Sequence, residues 1–165
     1  MNEENYGKIS EWFRKDKKKL DAFVLIYRIL PCFVVIAYGI VVLYEVLCGS
    51  PEDRIRILAV PAVTFLLCTV FRKVINEQRP YESLNITPLI KKEKKGQSFP
   101  SRHMVSAGVI AMTALYVNRI FGIIMIGIGL LIGIIRPIAG VHYIRDVVAG
   151  FALGIFCGII GLFII

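Results

Sequence analysis

The chain has 165 residues, long enough for one domain and too short for two ordinary ones. Its apolar fraction of 56% and mean hydropathy of +0.69 lie well above the soluble norm, and charged residues make up only 19%, too few to clothe a water-exposed surface. A water-soluble globule is excluded, and the net charge of +8, from 20 basic and 12 acidic residues, has to be concentrated somewhere.

Residues 1–21 mix charge with Tyr6, Ile9, Trp12, Phe13 and Leu20. Ile9, Trp12 and Phe13 stand at the three and four spacing of one helix face, which suits an amphipathic helix lying at a membrane interface, with a partly ordered tail the equal alternative. The segment does not present a basic end, an apolar stretch and a small-residue cleavage site in that order, so no removable signal peptide is expected. Apolar stretches follow at about 29–47, 55–71, 104–117, 120–135 and 147–165. The predicted fold is therefore all-α: one integral-membrane domain over 1–165, a helical bundle of about five transmembrane helices with the N-terminal amphipathic helix in front. The third and fourth stretches fall short of the ~20 residues that ~30 Å of hydrocarbon demands, so they must borrow flanking residues or cross a locally thin region. Gly150, Gly154 and Gly158, four apart, predict that the last helix approaches a neighbour closely. Cys32, Cys48, Cys68 and Cys157 lie in or beside apolar runs with no metal-ligand spacing and read as small hydrophobes.

The charge is unevenly placed. From His103 to the C-terminus only Arg119, Arg136, Arg145 and Asp146 are charged, whereas 72–102 holds eight basic residues against three acids, a local +5. Nucleic acid wants a basic face on a soluble domain; here the basic segment interrupts apolar runs, so a nucleic-acid partner is excluded and anionic lipid headgroups or a phosphate substrate fit better. Lys91, Lys92, Lys94 and Lys95 read as a solvated or headgroup-facing loop. With five spans the N-terminus, this basic loop and the connection between spans four and five share one face, which the Lys and Arg count assigns to the cytoplasm.

That face carries three clusters. In RKVINEQRP, Arg72 and Arg79 are seven apart; a helix continuing through them would turn both guanidiniums toward one site before Pro80 ends it. In Pro100-Ser101-Arg102-His103, a serine at a helix start can cap it, beside free N–H groups that attract anions. In RPIAGVHYIRD, His142 and Asp146 are four apart, one helical turn, so the carboxylate can hold one ring nitrogen and leave the other free as a nucleophile. Taken singly, such groups commonly serve as an interfacial anchor, a cap and a structural hydrogen bond. Both histidines of the chain fall in these clusters, and three clusters in order on one face point to chemistry.

The pattern resembles the type 2 phosphatidic acid phosphatase (PAP2) superfamily, whose three motifs read KxxxxxxRP, PSGH and SRxxxxxHxxxD, and in its layout small bacterial undecaprenyl-diphosphate phosphatases of that superfamily. The motif-bearing region is 72–146, and the spacing agrees in all three motifs. Three residues depart: Arg72 stands for Lys, Arg102 for Gly and Ile135 for Ser. The first keeps the charge with a different geometry, the second adds a cation and the third removes a hydroxyl.

The resemblance implies a membrane lipid phosphate or diphosphate phosphatase, multi-pass in the cell membrane, with its site on the outer face as in most such family members, opposite to the side that the Lys and Arg count gives. It assigns His142 as the nucleophile forming a phosphohistidine, Asp146 as its orienting carboxylate, and His103 as the acid that serves the leaving oxygen and then activates water. Arg72, Arg79, Ser101 and Arg136 would hold the phosphate, with Lys73 and Arg102 as accessory candidates and Lys73 more readily an interfacial anchor. No metal and no cofactor is implied. The implied partners are the bilayer and a phospholipid or polyprenyl phosphate substrate. The same motifs also suit a phosphotransferase acting on another acceptor, or a non-catalytic protein that binds anionic lipid.

Overall fold

A computed structural model describes residues 3–91 and 95–165, so Lys92 and Lys94, expected in a solvated or headgroup-facing loop, lie outside the described residues. The described residues form α1 (Glu3–Arg14), α2 (Lys17–Cys48), α3 (Pro51–Ile75), the short α4 (Pro80–Ser83), α5 (Arg102–Val117), α6 (Arg119–Ile138) and α7 (Ile144–Ile159), which runs into a π-helical turn at Ile160–Ile164. Helix starts follow local chemistry. The Asp16 carboxylate accepts from Lys18 N at 3.0 Å, Ser50 Oγ accepts from Asp53 N at 3.1 Å with Pro51 in the first turn of α3, and Asn118 Oδ1 accepts from Phe121 N at 3.0 Å.

Four segments, Lys17–Cys48, Pro51–Ser83, Arg119–Ile138 and Ile144–Ile164, are long and apolar enough to cross a membrane, and Arg102–Val117 is a shorter apolar helix. The five apolar stretches are all helical, but their limits differ from expectation. The first begins at Lys17 rather than near residue 29, because the Asp16 cap starts the helix inside what reads as the amphipathic segment. At 1.5 Å per residue α5 covers only about 24 Å.

The arrangement of the bundle follows from α5. Ten of its 16 residues are buried, and α2, α3, α6 and α7 all pack against it. The other long helices turn large apolar residues outward, among them Val35, Leu66, Ile123, Leu131, Val148 and Phe156, each at least half exposed. Such a surface is unsustainable in water and is the expected lipid-facing coat of a multi-pass membrane protein. The closest packing is α7 on α5. A Cβ at Gly154 would lie 2.3 Å from Val105 O, and one at Gly158 2.5 Å from Met112 Cβ, so the four-residue glycine spacing is indeed the seam along which the two helices meet.

α1 is a helix as expected, but its buried face is Tyr6 and Ser10, while Trp12 is 55% exposed and Phe13 packs on Phe23. Tyr6 OH accepts from Leu89 N at 2.9 Å and donates to Thr87 O at 3.3 Å, and Arg14 Nη2 donates to Thr87 O at 3.1 Å. The amphipathic helix is thus fastened to the 85–89 segment. The three motif clusters all gather at this end of the bundle; the opposite end is held by Tyr116 OH on Asp53 and by Arg56 Nη2 donating to Ile165 O at 3.1 Å.

Candidate active site

His142 does not sit on a helix with Asp146. It lies in the turn that follows α6, where Gly140 takes φ +76 and where a Cβ would come within 2.7 Å of Tyr6 OH. α7 starts only at Ile144, with Asp146 as its third residue. The pair still meets, for a different reason than one helical turn. A carboxylate in the first turn captures an unpaired amide, and Asp146 Oδ2 accepts from Tyr143 N at 3.0 Å, which folds it back toward the turn and places it 3.5 Å from His142 Nδ1. Ser98 completes the group: its Oγ donates to Asp146 Oδ2 at 2.5 Å and lies 3.5 Å from His142 Nδ1. Nδ1 therefore faces the Asp146 and Ser98 side, leaving Nε2 for the cavity that His142 lines.

All three side chains are buried, Ser98 and Asp146 completely. Burial is the main cause that pushes the His142 imidazole down from 6.5 to about 4; the Asp146 hydrogen bond opposes it, and the Arg79 guanidinium adds to it. The ring is therefore neutral near pH 7, with its in-plane lone pair free.

Around it stand the cations. A cavity of about 110 Å³ is lined by Tyr27, Arg72, Arg79, Arg102, His103, Arg136 and His142. That is the space of roughly three or four waters at about 30 Å³ each, and among these lining side chains none is an anion. Arg72 and Arg79 do not share a helix: α3 ends at Ile75 with Asn76 in the left-handed region at φ 43, and Arg79 caps α4 after a break. They converge because the 96–100 segment folds over both. Arg72 donates to the carbonyls of Gln97, Ser98 and Pro100, and Arg79 Nε donates to Gly96 O at 3.1 Å. Arg136, at the end of α6, is 3% exposed; its Nη1 donates to Tyr27 OH at 2.6 Å and its guanidinium lies 4.3 Å from the Tyr27 ring.

Ser101 precedes α5 as expected, but its hydroxyl does not cap the helix. Its backbone N donates to Asp146 O at 2.9 Å, and its Oγ, buried, has no hydrogen-bond partner among the described residues and lies outside the cavity wall. Arg102 lines the cavity and stacks on Phe65, its guanidinium 5.5 Å from the ring. His103 is exposed and also lines the cavity. Lys73 is exposed and takes no part in the wall, so of the two accessory candidates only Arg102 stands at the site. No group of three or more His, Cys, Asp or Glu among the described residues is placed to hold a metal ion.

Two residues of the site escaped the sequence reading. Ser98 lies just outside the second motif, and its one signal is a polar residue beside the Phe99-Pro100 start of that motif. Tyr27 gives no signal, since it is 109 residues from the arginine it touches.

Arg102 and His103 also face a second space. A groove of about 530 Å³ runs from them between α2, α3 and α5, past Pro31, Val35, Phe65 and Ile110, and its walls are mostly apolar. Polar cavity and apolar groove thus meet at the first turn of α5.

The chain is 29% identical over 130 residues to undecaprenyl-diphosphatase BcrC of Bacillus subtilis (strain 168), an alignment covering 76% of this chain and 66% of that protein. The chain so spans just under two thirds of that relative's length. Its fold is similar to the crystal structure of LpxE from Aquifex aeolicus, with a TM-score of 0.63, 25% identity and coverage of 87% of this chain and 93% of that one. It is also similar to a transmembrane PAP2-type phosphatidylglycerolphosphate phosphatase from Bacillus subtilis, with a TM-score of 0.67, 23% identity and coverage of 95% and 82%. The model of the PAP2 superfamily matches residues 55–164, the stretch that holds all three motif clusters, and the chain belongs to that superfamily.

Proposed function

We propose that the protein is a membrane lipid phosphate or diphosphate phosphatase, resident in the cell membrane and working without a metal. The observation that carries this reading is the junction of a cavity lined by four arginines and two histidines with an apolar groove, sharing Arg102 and His103. A headgroup phosphate suits the first and a hydrocarbon chain the second. The similarity to an undecaprenyl-diphosphatase supports a polyprenyl diphosphate as substrate, with phosphatidylglycerol phosphate and phosphatidic acid as the other lipids to try.

The chemistry runs in two displacements. Nε2 of neutral His142 attacks phosphorus, forming an N–P bond as the P–O bond to the lipid breaks, and His103 gives its proton to the departing oxygen. Water then attacks phosphorus, losing a proton to His103, while the N–P bond breaks and inorganic phosphate leaves. Asp146, held by Ser98 and Tyr143 N, keeps the ring oriented and balances the positive charge it acquires. Arg79 and Arg136 meet the charge that develops on the equatorial oxygens. Arg72 contributes mainly through the 97–100 carbonyls it grips.

The test is phosphate release by pure protein in detergent micelles from undecaprenyl diphosphate, phosphatidylglycerol phosphate and phosphatidic acid, with and without chelator. Release from at least one, unaffected by chelator, is expected. Release from none would overturn the reading.

A further inference from the structure

The third motif of this chain has Ile135 where a serine precedes the arginine in the family pattern, so the hydroxyl beside Arg136 is missing from the motif itself. A hydroxyl is nevertheless there, supplied by Tyr27 of α2. We infer that Tyr27 is a phosphate-binding residue, donating its O–H to an oxygen of the bound phosphoryl group. The inference rests on the phosphatase reading above and names a ligand group outside the 55–164 stretch that the family model matches.

Three observations carry it. Tyr27 is 6% exposed overall yet lines the cavity. Arg136 Nη1 donates to its oxygen at 2.6 Å, which occupies an acceptor position and leaves the phenol proton to be given elsewhere. Among the described residues Tyr27 OH donates to no acceptor, and the rest of the cavity wall is four arginines with His103 and His142, where only an imidazole nitrogen could compete with an anion for that proton. A buried donor left unmatched is costly. In a pocket of cations, the group that satisfies it is an anion's oxygen. The ring contributes separately: with the Arg136 guanidinium 4.3 Å from its centre, it fixes the plane in which that fork meets the same anion.

The experiment measures inorganic phosphate affinity of the full-length protein in detergent, by calorimetric titration, together with kcat and KM on the best lipid substrate. Tyr27→Phe keeps the ring and removes the hydroxyl. Tyr38→Phe is the control, since it deletes another α2 phenol hydroxyl, one that donates to Ile57 O away from the cavity. The expected result is a loss of phosphate affinity on the order of 10- to 100-fold for Y27F, as for a lost hydrogen bond to a charged group, and none for Y38F. Equal affinity in Y27F and the unmodified protein would overturn the inference. A purely supporting role for Tyr27 is separated by Arg136→Lys and the double variant, read at higher phosphate concentration. The inference expects the double variant to bind more weakly than R136K, and equal binding would make Tyr27 only a prop for Arg136, overturning it. If the unmodified protein neither binds phosphate nor releases it from lipid, the phosphatase reading itself fails, and with it this one; a failure of Tyr27 alone leaves that reading standing.

Discussion

Ser98 Oγ lies 2.5 Å from Asp146 Oδ2, tying the segment ahead of α5 to the first turn of α7. The same carboxylate oxygen accepts from Tyr143 N and stands 3.5 Å from His142 Nδ1, so a single oxygen ties the seryl loop, the helix start and the imidazole together. Arg72 closes the arrangement from behind, because Ser98 O, Gln97 O and Pro100 O all accept from its guanidinium. Arg72 of the first motif and the 97–100 segment that leads into the second thereby set the geometry of the third.

Ser98→Ala removes a hydrogen bond to a buried carboxylate, a change of about 1.5–3 kcal/mol. If that oxygen aligns His142, the loss falls on the chemical step, and kcat is expected to drop about tenfold or more while KM changes little. Ser98→Thr, which keeps the hydroxyl, is expected to restore part of the rate. Steady-state kinetics on both variants check this, with thermal unfolding in detergent to show that Ser98→Ala remains folded.

The lowered His142 pKa has a pH signature. The unfolded ring takes a proton near 6.5 and the folded one only near 4, so between these values the unfolded state holds more protons and stability falls as pH falls. The full difference of about 2.5 pH units is on the order of 3 kcal/mol. Comparing the unfolding temperature of the protein and of His142→Asn at pH 7 and pH 4.5 is expected to show a steeper acid loss in the unmodified chain. Under the proposed mechanism the same protonation would remove the lone pair with which His142 attacks, so the acid limb that it imposes on kcat/KM, which reports the free enzyme, belongs near pH 4 rather than near 6.5.

Gly154→Ala places a methyl group 2.3 Å from Val105 O, backbone that cannot move aside without parting α7 from α5. Overpacking of this kind costs about 1–3 kcal/mol, or several degrees in unfolding temperature. Gly127→Ala, with nothing within 4 Å of the added Cβ, is the matched control and is expected to leave that temperature unchanged or slightly raised.

Tyr6→Ala withdraws the side chain that backs Gly140, two residues before His142, and that holds Leu89 N. Removing a buried aromatic ring costs about 3–5 kcal/mol, so a fall in unfolding temperature on the order of 10 °C is expected. Turnover at a permissive temperature is expected to fall with KM little altered, since α1 touches the turn that carries His142 and not the cavity wall. Tyr6→Phe, which keeps the ring, is expected to cost only about 1 kcal/mol.

Much of this site is legible in the sequence because its chemistry is concentrated where an apolar chain has few reasons to carry charge. Arg136, His142 and Asp146 stand out against hydrocarbon, Arg79 is marked by its spacing from Arg72 and by Pro80, and Gly150, Gly154 and Gly158 mark the helix seam by spacing alone. The local geometry is less legible. A helix through Arg72 and Arg79, and another through His142 and Asp146, are reasonable from spacing; Asn76 in the left-handed region ends the first, and Gly140 with the Tyr143 amide delays the second. The same groups meet through loop folding instead. Ser98 and Tyr27 are invisible for a related reason: a hydroxyl's role is fixed by what tertiary packing brings to it, and Arg136 reaches Tyr27 across 109 residues.

The most direct measurement is the site of covalent phosphate. Pure protein is mixed with a lipid substrate radiolabelled in its terminal phosphate, quenched in alkali, where phosphohistidine survives, and digested with trypsin. Cleavage after Arg102, Arg119 and Arg145, with the Arg136-Pro137 bond resistant, puts His103 in the 103–119 peptide and His142 in the 120–145 peptide. Label on 120–145, absent from His142→Ala, is the expected result. Label on 103–119, or turnover with no labelled histidine at any time point, would contradict a reaction that passes through His142.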